Sequence, residues 1–274
     1  MSVEGQQQVR RRRPNLRAVE VQRVERITPR LVCVTVAGAT LDGFTAPGPA
    51  QHIKVFFPSD GQQHTTLPIA GPEGPEFPPD QPRPISRTYT PRRWRPEERE
   101  LDIEFVLHGD GLGSRWAGRA RQGDILVLAG PGGRYEIDAD ADWYLLAGDH
   151  AALPAMGTIL EALPASTQVR AFIDVEEDAD VCALPTSASV ELTWLHGAMG
   201  DAPPATRLEE AIRAADLPRD GRIGAWVACE ASMMRSIRRY LLDELRLAPA
   251  NVHTQGYWKQ GAANHPDHDF GDDS

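Results

Sequence analysis

Arg87, Thr88, Tyr89 and Thr90 stand in a row immediately before Pro91, and their side chains suggest one task. Alternation along an extended strand puts Arg87 and Tyr89 on the same face. The guanidinium fork matches two oxygens of a pyrophosphate. The Tyr89 ring offers a flat surface to a flat cofactor, and Thr90 offers a hydroxyl at the strand's tip. Downstream, Leu107-His108-Gly109-Asp110-Gly111-Leu112-Gly113-Ser114-Arg115-Trp116 closes a strand and opens a short helix. Its three glycines let the backbone approach a ligand closely. Ser114 is placed to cap the helix, whose first N–H groups would face an anion. His108 reads as a hydrogen-bonding partner at the strand end, because no carboxylate–histidine–nucleophile set accompanies it.

A second group of candidates lies further on. Leu145-Leu146-Ala147-Gly148-Asp149-His150 leads from a strand into a helix, and Val227-Ala228-Cys229-Glu230-Ala231 repeats that turn. Neither carries the G-x-G-x-x-G pattern of an ordinary dinucleotide-binding turn. Both sit at the carboxyl end of an expected parallel strand, where ligands of α/β sheets bind, so Gly148, Asp149 and Glu230 are candidate nucleotide contacts. Gly256-Tyr257-Trp258-Lys259-Gln260-Gly261 ends the ordered pattern. The chain has just two lysines, Lys54 and Lys259, among many arginines, which draws interest to both positions.

The elements that must hold these residues fall into two kinds. Val19–Val24, Leu31–Val36, His52–Phe57, Ser86–Thr90, Leu101–Leu107 and Ile125–Ala129 read as short strands separated by Gly/Pro-rich segments, the pattern of a small antiparallel barrel. Residues 62–82 read as a flexible insertion. After Asp138-Ala139-Asp140-Ala141-Asp142 the rhythm changes. Strands are expected at Trp143–Ala147, Val169–Asp174, Val190–Trp194, Ala225–Cys229 and Val252–Tyr257. Helices are expected to about Leu163, over Arg207–Ala215 and over Ala231–Leu245. Strand alternating with helix means a parallel α/β sheet. The expected organisation is a tail at 1–16, a β-barrel domain at 17–140, an α/β domain at 141–262 and a flexible tail at 263–274.

Bulk properties narrow the class. At 274 residues, two domains are expected. A net charge of −10 argues against general nucleic-acid binding. Arg10 to Arg13 have no apolar segment behind them, so no secretory signal is read there, and no apolar run suffices to insert in a membrane. Cys33, Cys182 and Cys229 are scattered and odd in number, as expected of buried thiols in the cytoplasm rather than of a disulfide framework or zinc site. The polar run Asn264-His265-Pro266-Asp267-His268-Asp269 is read as a disordered terminus rather than a metal site.

As an ordered set, these segments resemble the siderophore-interacting proteins, bacterial FAD-dependent ferric-siderophore reductases of the ferredoxin-reductase-like superfamily. The resemblance runs from about Val19 to Gly261. It rests on His52-Ile53-Lys54-Val55-Phe56-Phe57-Pro58, the Arg-x-Tyr-Thr signature at Arg87, the segment from His108 to Trp116, and Gln122-Gly123-Asp124 with Gly130-Pro131. Gly148 to Ala155, Trp226 to Ala231 and Gly256-Tyr257-Trp258-Lys259-x-Gly261 complete it.

The resemblance implies a β + α/β architecture: an N-terminal antiparallel Greek-key β-barrel for FAD and a C-terminal parallel α/β domain for NADH or NADPH. It implies that Arg87 grips the FAD pyrophosphate, that Thr88, Tyr89 and Thr90 lie along the isoalloxazine, and that His108, Gly113, Ser114 and Trp116 serve the diphosphate and adenosine end. A basic siderophore-binding triad falls on Lys54, Lys259 and Arg134, the last two positions beyond its usual place. His150 and Cys229 depart from the family's pattern. The implied reaction passes electrons from NAD(P)H through the flavin to Fe(III), with no catalytic side chain beyond the flavin, and the implied partners are a ferric siderophore and, in some relatives, a ferredoxin. Asp174, Glu176, Glu177 and Asp178 have no basic pair near them in sequence, which favours NADH over NADPH, because carboxylates suit a free ribose hydroxyl. The expected unit is a cytoplasmic monomer. Two rival readings are a flavin- or ferredoxin-type reductase with another acceptor, and a siderophore-binding module without catalysis.

Overall fold

The computed structural model describes residues 15–45, 48–59, 62, 64–72, 74–133, 135–197, 206–218, 220–262, 265–266 and 269–271. Arg134 and the arginines at 10–13 lie outside them. The first half forms β1 (Leu16–Thr28), β2 (Leu31–Ala37), β3 (His52–Phe56), β4 (Ile69–Gly71), β5 (Gly74–Glu76), β6 (Ser86–Tyr89), β7 (Pro91–Arg95) and β8 (Glu100–Val106). The short helix α1 (Leu112–Ala117) and β9 (Ile125–Gly132) follow. Seven of these strands build one antiparallel sheet in the order β6-β3-β9-β1-β2-β8-β7.

Its two outermost strands, β6 and β7, are separated in the chain by Thr90 alone. A sheet whose opposite edges are tied by one residue must curl until they meet, which is how Thr90 comes to the seam. Alternate residues point inward: Val19 and Val21, Val32, Val34 and Val36, Ile53 and Val55, Leu101, Ile103 and Phe105, Leu126 and Leu128 share one buried core. Each largely buried aliphatic side chain contributes about 1.5–3 kcal/mol.

Two expectations are corrected in this half. The strand β7 is hidden in the sequence because Pro91-Arg-Arg-Trp-Arg shows no apolar alternation; Pro91 is tolerated as an edge strand's first residue, and Arg93 and Arg95 lie opposite Asp102 and Glu100. The expected flexible insertion at 62–82 instead carries the β4–β5 hairpin. It is pinned by the Thr65 hydroxyl donating to the Phe56 carbonyl at 2.9 Å and by Phe77 stacking on Phe56 at 5.0 Å.

The second half runs β10 (Trp143–Asp149), α2 (Leu153–Ala162), β11 (Gln168–Val175), β12 (Ser189–His196), α3 (Arg207–Ala214), β13 (Ile223–Glu230), α4 (Ala231–Arg239) and β14 (Val252–Trp258). The five strands are parallel in the order β12-β11-β10-β13-β14. Tyr144 and Leu146 of β10 pack toward α2, while Leu145 and Ala147 pack toward α3 and α4, so the sheet is covered on both faces. The helix expected to reach Leu245 changes character at Tyr240, where the Leu245 N–H reaches back five residues to the Tyr240 carbonyl. Among the described residues, no helix is long and apolar enough to cross a membrane.

The halves are locked together by side chains. Arg30, in the β1–β2 turn, contacts Glu176, Glu177 and Asp180 at 2.6, 2.7 and 2.9 Å. Arg92 of β7 donates both ends of its fork to Glu161 of α2, at 2.9 and 2.8 Å.

Candidate functional site

Between the barrel seam and the carboxyl edge of the parallel sheet lies a cleft of about 690 Å³. Such a volume is typical of small-molecule sites. The barrel wall presents Arg87, Thr88, Tyr89 and Thr90 together with Gly111, Gly113, Ser114 and Arg115. Thr88 is fixed by the Lys54 ammonium across the strand pair, Nζ to Oγ1 at 2.7 Å. Tyr89 packs its ring on Phe105, with centroids 4.5 Å apart, and burial raises its phenol far above the ordinary range. A methyl group at Gly113 would overlap the Tyr89 hydroxyl, so the glycine is what lets α1 sit directly over the tyrosine.

Two expectations on this wall need revision. Ser114 is not the cap of α1: Gly111 is, and Ser114 Oγ, one turn in, accepts from the His108 backbone N–H at 3.0 Å. Trp116 does not reach the cleft. It is buried in the barrel core against Phe57 and Phe105, 5.6 and 5.5 Å away, because a six-residue helix lying on the barrel's mouth must turn its largest side chain inward. His108 lines the cleft from an exposed position.

The opposite wall is the switch point of the parallel sheet. From β10 the chain steps outward to β11 and β12, and the later strands β13 and β14 occupy the other side, which opens a crevice at the ends of β10 and β13. Asp149 and Glu230 meet there, but both carboxylates are turned to the protein. Asp149 accepts from Ala151 N (2.9 Å), Glu230 N (2.9 Å) and Trp258 Nε1 (2.8 Å). Burial nevertheless pushes its carboxyl up to about 6, with these hydrogen bonds pulling the other way. Glu230 caps α4, accepting from Ser232 N and Met233 N at 2.6 and 3.1 Å, and does not line the cleft. Gly148 is required by packing: a side chain there would strike Ala152 and come within 2.8 Å of the Ala228 carbonyl. Of the three candidates on these turns, Asp149 alone is on the cleft's surface.

The acidic run after β11 is not free of cations, as its sequence suggested. Glu176 belongs to the Arg30 clamp, Asp178 meets His196 at 3.1 Å, and Asp174 receives the Arg207 guanidinium at 3.0 and 2.6 Å. The bases come from distant segments, so no local pattern could reveal them. Asp174, Glu176 and Arg207 all line the cleft, and Arg207 was missed because it is one of many helix arginines.

Residues of the C-terminal segment form a third edge. The expectation of a flexible tail is corrected for those described: Gly256 N donates to the Asp269 carbonyl (2.8 Å), and Asp269 Oδ2 accepts from Arg235 (2.7 Å) and contacts His265 Nε2 at 2.8 Å. His265 lines the cleft beside Trp258 and Ala262. Lys54 stands on β3 behind Thr88, and Lys259 is exposed in the turn after β14.

These residues suit a dinucleotide spanning both walls. One wall supplies a guanidinium and a glycine-permitted close approach. The other supplies the carboxyl ends of parallel strands and a buried imidazole, His150, whose Nε2 has no partner among the described residues. Glu104 and Asp110 are acidic residues of the cleft's barrel side, and Asp149, Asp174 and Glu176 are those of its sheet side.

Comparison with known proteins agrees with this geometry. Residues 20–135 match the siderophore-interacting FAD-binding domain, and residues 141–261 match the siderophore-interacting protein family. Ferric vibriobactin reductase ViuB of Vibrio cholerae is 34% identical over 247 residues, 89% of this chain and 90% of that protein. The NADPH-dependent ferric-chelate reductase of Escherichia coli is 31% identical over 245 residues, 88% and 92% of the two chains. The crystal structure of a siderophore utilization protein from T. fusca superposes with a TM-score of 0.81 at 35% identity, covering 93% of this chain and 96% of that one.

Proposed function

Because the chain belongs to the siderophore-interacting protein family, we propose that it is a flavoprotein that reduces ferric siderophores with electrons from a nicotinamide nucleotide, through FAD. The observation that carries this reading is the single cleft whose two walls are the barrel seam at Arg87–Thr90 and the switch point of the parallel sheet. A donor on one wall and a flavin on the other would then meet inside it. Residues 17–140 hold the flavin in this reading, and residues 141–262 hold the donor.

Each wall has a defined task. Arg87 places its fork on the FAD diphosphate, and the loop from His108 to Arg115 closes over the same end. Tyr89, immobilised on Phe105, and Thr90, at the seam, bound the isoalloxazine. When bound, FAD couples a two-electron hydride donor to a one-electron acceptor. Iron(II) is held less tightly than iron(III) by hard oxygen ligands, so reduction frees the metal from its chelate. Lys54 and Lys259, with Arg134 as the third member, draw the anionic chelate to the mouth against the net negative charge of the chain.

Asp174 supports NADH as the donor. It stands one residue before the end of β11, the region from which a carboxylate reaches a ribose hydroxyl, and Arg207 fixes its orientation. NADPH, named for the Escherichia coli relative, and a ferredoxin are the competing donors.

The test is an anaerobic mixture of protein, FAD and NADH or NADPH, to which a ferric siderophore is added while flavin absorbance is followed. Bleaching by the nucleotide, recovery on adding the chelate, and capture of Fe(II) by a colorimetric ligand are expected. Bound flavin that neither nucleotide bleaches would shift the donor to ferredoxin. A protein that binds no flavin would overturn the reading.

A further inference from the structure

His150 is the least explained polar group in the molecule. It occupies the first turn beyond β10 at the switch point and is one of the residues lining the cleft. It is only 9% exposed, yet Nε2 has no hydrogen-bond partner among the described residues. A buried nitrogen left unpaired destabilises the free protein, so a ligand that pairs with it recovers that cost on binding. The turn continues into α2, a ten-residue helix whose first residues have no side-chain cap, and such an end favours negative charge.

The surroundings narrow the ligand. The charged and titratable groups that act on the imidazole are Asp180 and Glu176 of the α/β half and Arg30 and His108 of the barrel. Asp149 precedes it, but its oxygens accept from Ala151, Glu230 and Trp258. Burial holds the imidazole below its ordinary pKa, Arg30 and His108 press the same way, and Asp180 and Glu176 oppose them. With these two carboxylates engaged by Arg30, an anion entering from the cleft would be the new partner. A diphosphate lying in the cleft beside this turn supplies such an anion.

Building on the proposed reductase function, we infer that His150 Nε2 is a diphosphate ligand of the bound dinucleotide, donating to a phosphate oxygen as imidazolium and so tightening dinucleotide binding as pH falls. The diphosphate has two sources, the flavin dinucleotide and the nicotinamide dinucleotide, and the experiment separates them. Dissociation constants are measured from about pH 5 to about pH 8 for FAD, by quenching of flavin fluorescence, and for ADP-ribose, by calorimetry on the FAD-loaded protein. Wild type is compared with His150→Gln, His150→Lys and, to remove the other imidazole, His108→Gln.

One ligand is expected to bind on the order of tenfold more tightly at the acid end, as suits a charge-assisted hydrogen bond, and that ligand identifies the source. His150→Gln should flatten this slope, His150→Lys should bind tightly across the range, and adding His150→Gln should flatten the slope in the His108→Gln background as it does in wild type. If His150→Gln keeps the wild-type slope for both ligands, the inference fails while the reductase reading stands. If wild type binds FAD at no pH, both fall. Near-ultraviolet circular dichroism of each variant verifies that a lost slope does not come from a lost fold.

Discussion

Arg30 of the barrel and Asp180 of the α/β half meet at 2.9 Å, with Asp180 wholly buried and 150 positions away in the chain. The same guanidinium also holds Glu176 and Glu177, so one side chain fixes the acidic loop that borders the cleft. Arg30→Ala would leave a buried carboxylate without its cation, at a cost of about 3 kcal/mol. Thermal unfolding should shift down by roughly 6–12 °C, and adding Asp180→Asn should recover part of it. An unchanged melting temperature would mean the clamp is only decorative.

Gly113 and Tyr89 form a second pair with a sharp consequence. The Tyr89 oxygen occupies the space of a side chain at Gly113, while the ring's Cζ lies 3.0 Å from the same point. Gly113→Ala should therefore displace Tyr89, weakening FAD binding at least tenfold and lowering stability by about 1–3 kcal/mol, the usual range for overpacking. Tyr89→Phe removes the colliding oxygen, so the double variant should regain much of the lost stability. Fluorescence titration with FAD and a melting curve for the four proteins complete the cycle.

How much of this was legible beforehand follows from locality. Arg87–Thr90, the glycine loop and the two strand-to-helix turns are local signals, and the fold puts both turns at the carboxyl ends of adjacent parallel strands. The partners of those residues are non-local. Nothing near Glu176 announces Arg30, and nothing near Asp174 announces Arg207, because the contacts span 146 and 33 positions (176 − 30; 207 − 174). Trp116 and Ser114 were misplaced for another reason: spacing tells that a helix starts, but the barrel's mouth decides which side of it is buried. β7 escaped because ion pairing with β8, rather than apolar alternation, holds it.

The two lysines test the acceptor. Lys54→Ala with Lys259→Ala removes the two positive charges proposed to attract the chelate while leaving Arg87 and the glycine loop in place. Reoxidation of the reduced flavin by an anionic ferric siderophore should slow several-fold, and the remaining rate should depend less on salt. Stopped-flow reoxidation at two ionic strengths reads both effects. Turnover as fast as wild type would favour an acceptor other than a siderophore.

Donor choice rests on Asp174. Asp174→Ala removes the carboxylate proposed to receive the ribose hydroxyl and leaves the Arg207 fork facing the cleft, where it suits a 2′-phosphate. The ratio of flavin-reduction efficiency with NADH to that with NADPH should fall by about tenfold, the worth of one charge-assisted hydrogen bond. A wild-type protein already faster with NADPH would refute the assignment at the outset.

Asp149 sets two opposing terms against each other. Its burial raises the carboxyl to about 6, so the folded protein holds a proton that the unfolded chain, titrating at the ordinary carboxylate value, has released. Above about pH 6 the ionised group costs the fold on the order of 3 kcal/mol. As pH falls from about 6 toward the ordinary value near 4 the folded state gains a proton first, so this contribution makes the protein more stable, and below that range it changes no further. Replacing it by asparagine removes the charge but also sets an amide N–H₂ among donors from Ala151, Glu230 and Trp258. With its oxygen toward Glu230 and Trp258 the amide keeps two of the three accepted bonds and turns its N–H₂ on the Ala151 N–H, losing about 1 kcal/mol for the bond and about 1–3 kcal/mol for the opposed donors. Below about pH 4, where the wild-type group carries no charge in the fold, nothing offsets that loss, so Asp149→Asn should be less stable than wild type there, and its melting curve should lack the gain that wild type shows between about pH 6 and about pH 4. Melting temperatures of both proteins across that interval decide the matter, and an asparagine variant that keeps the wild-type gain would show that another group supplies it.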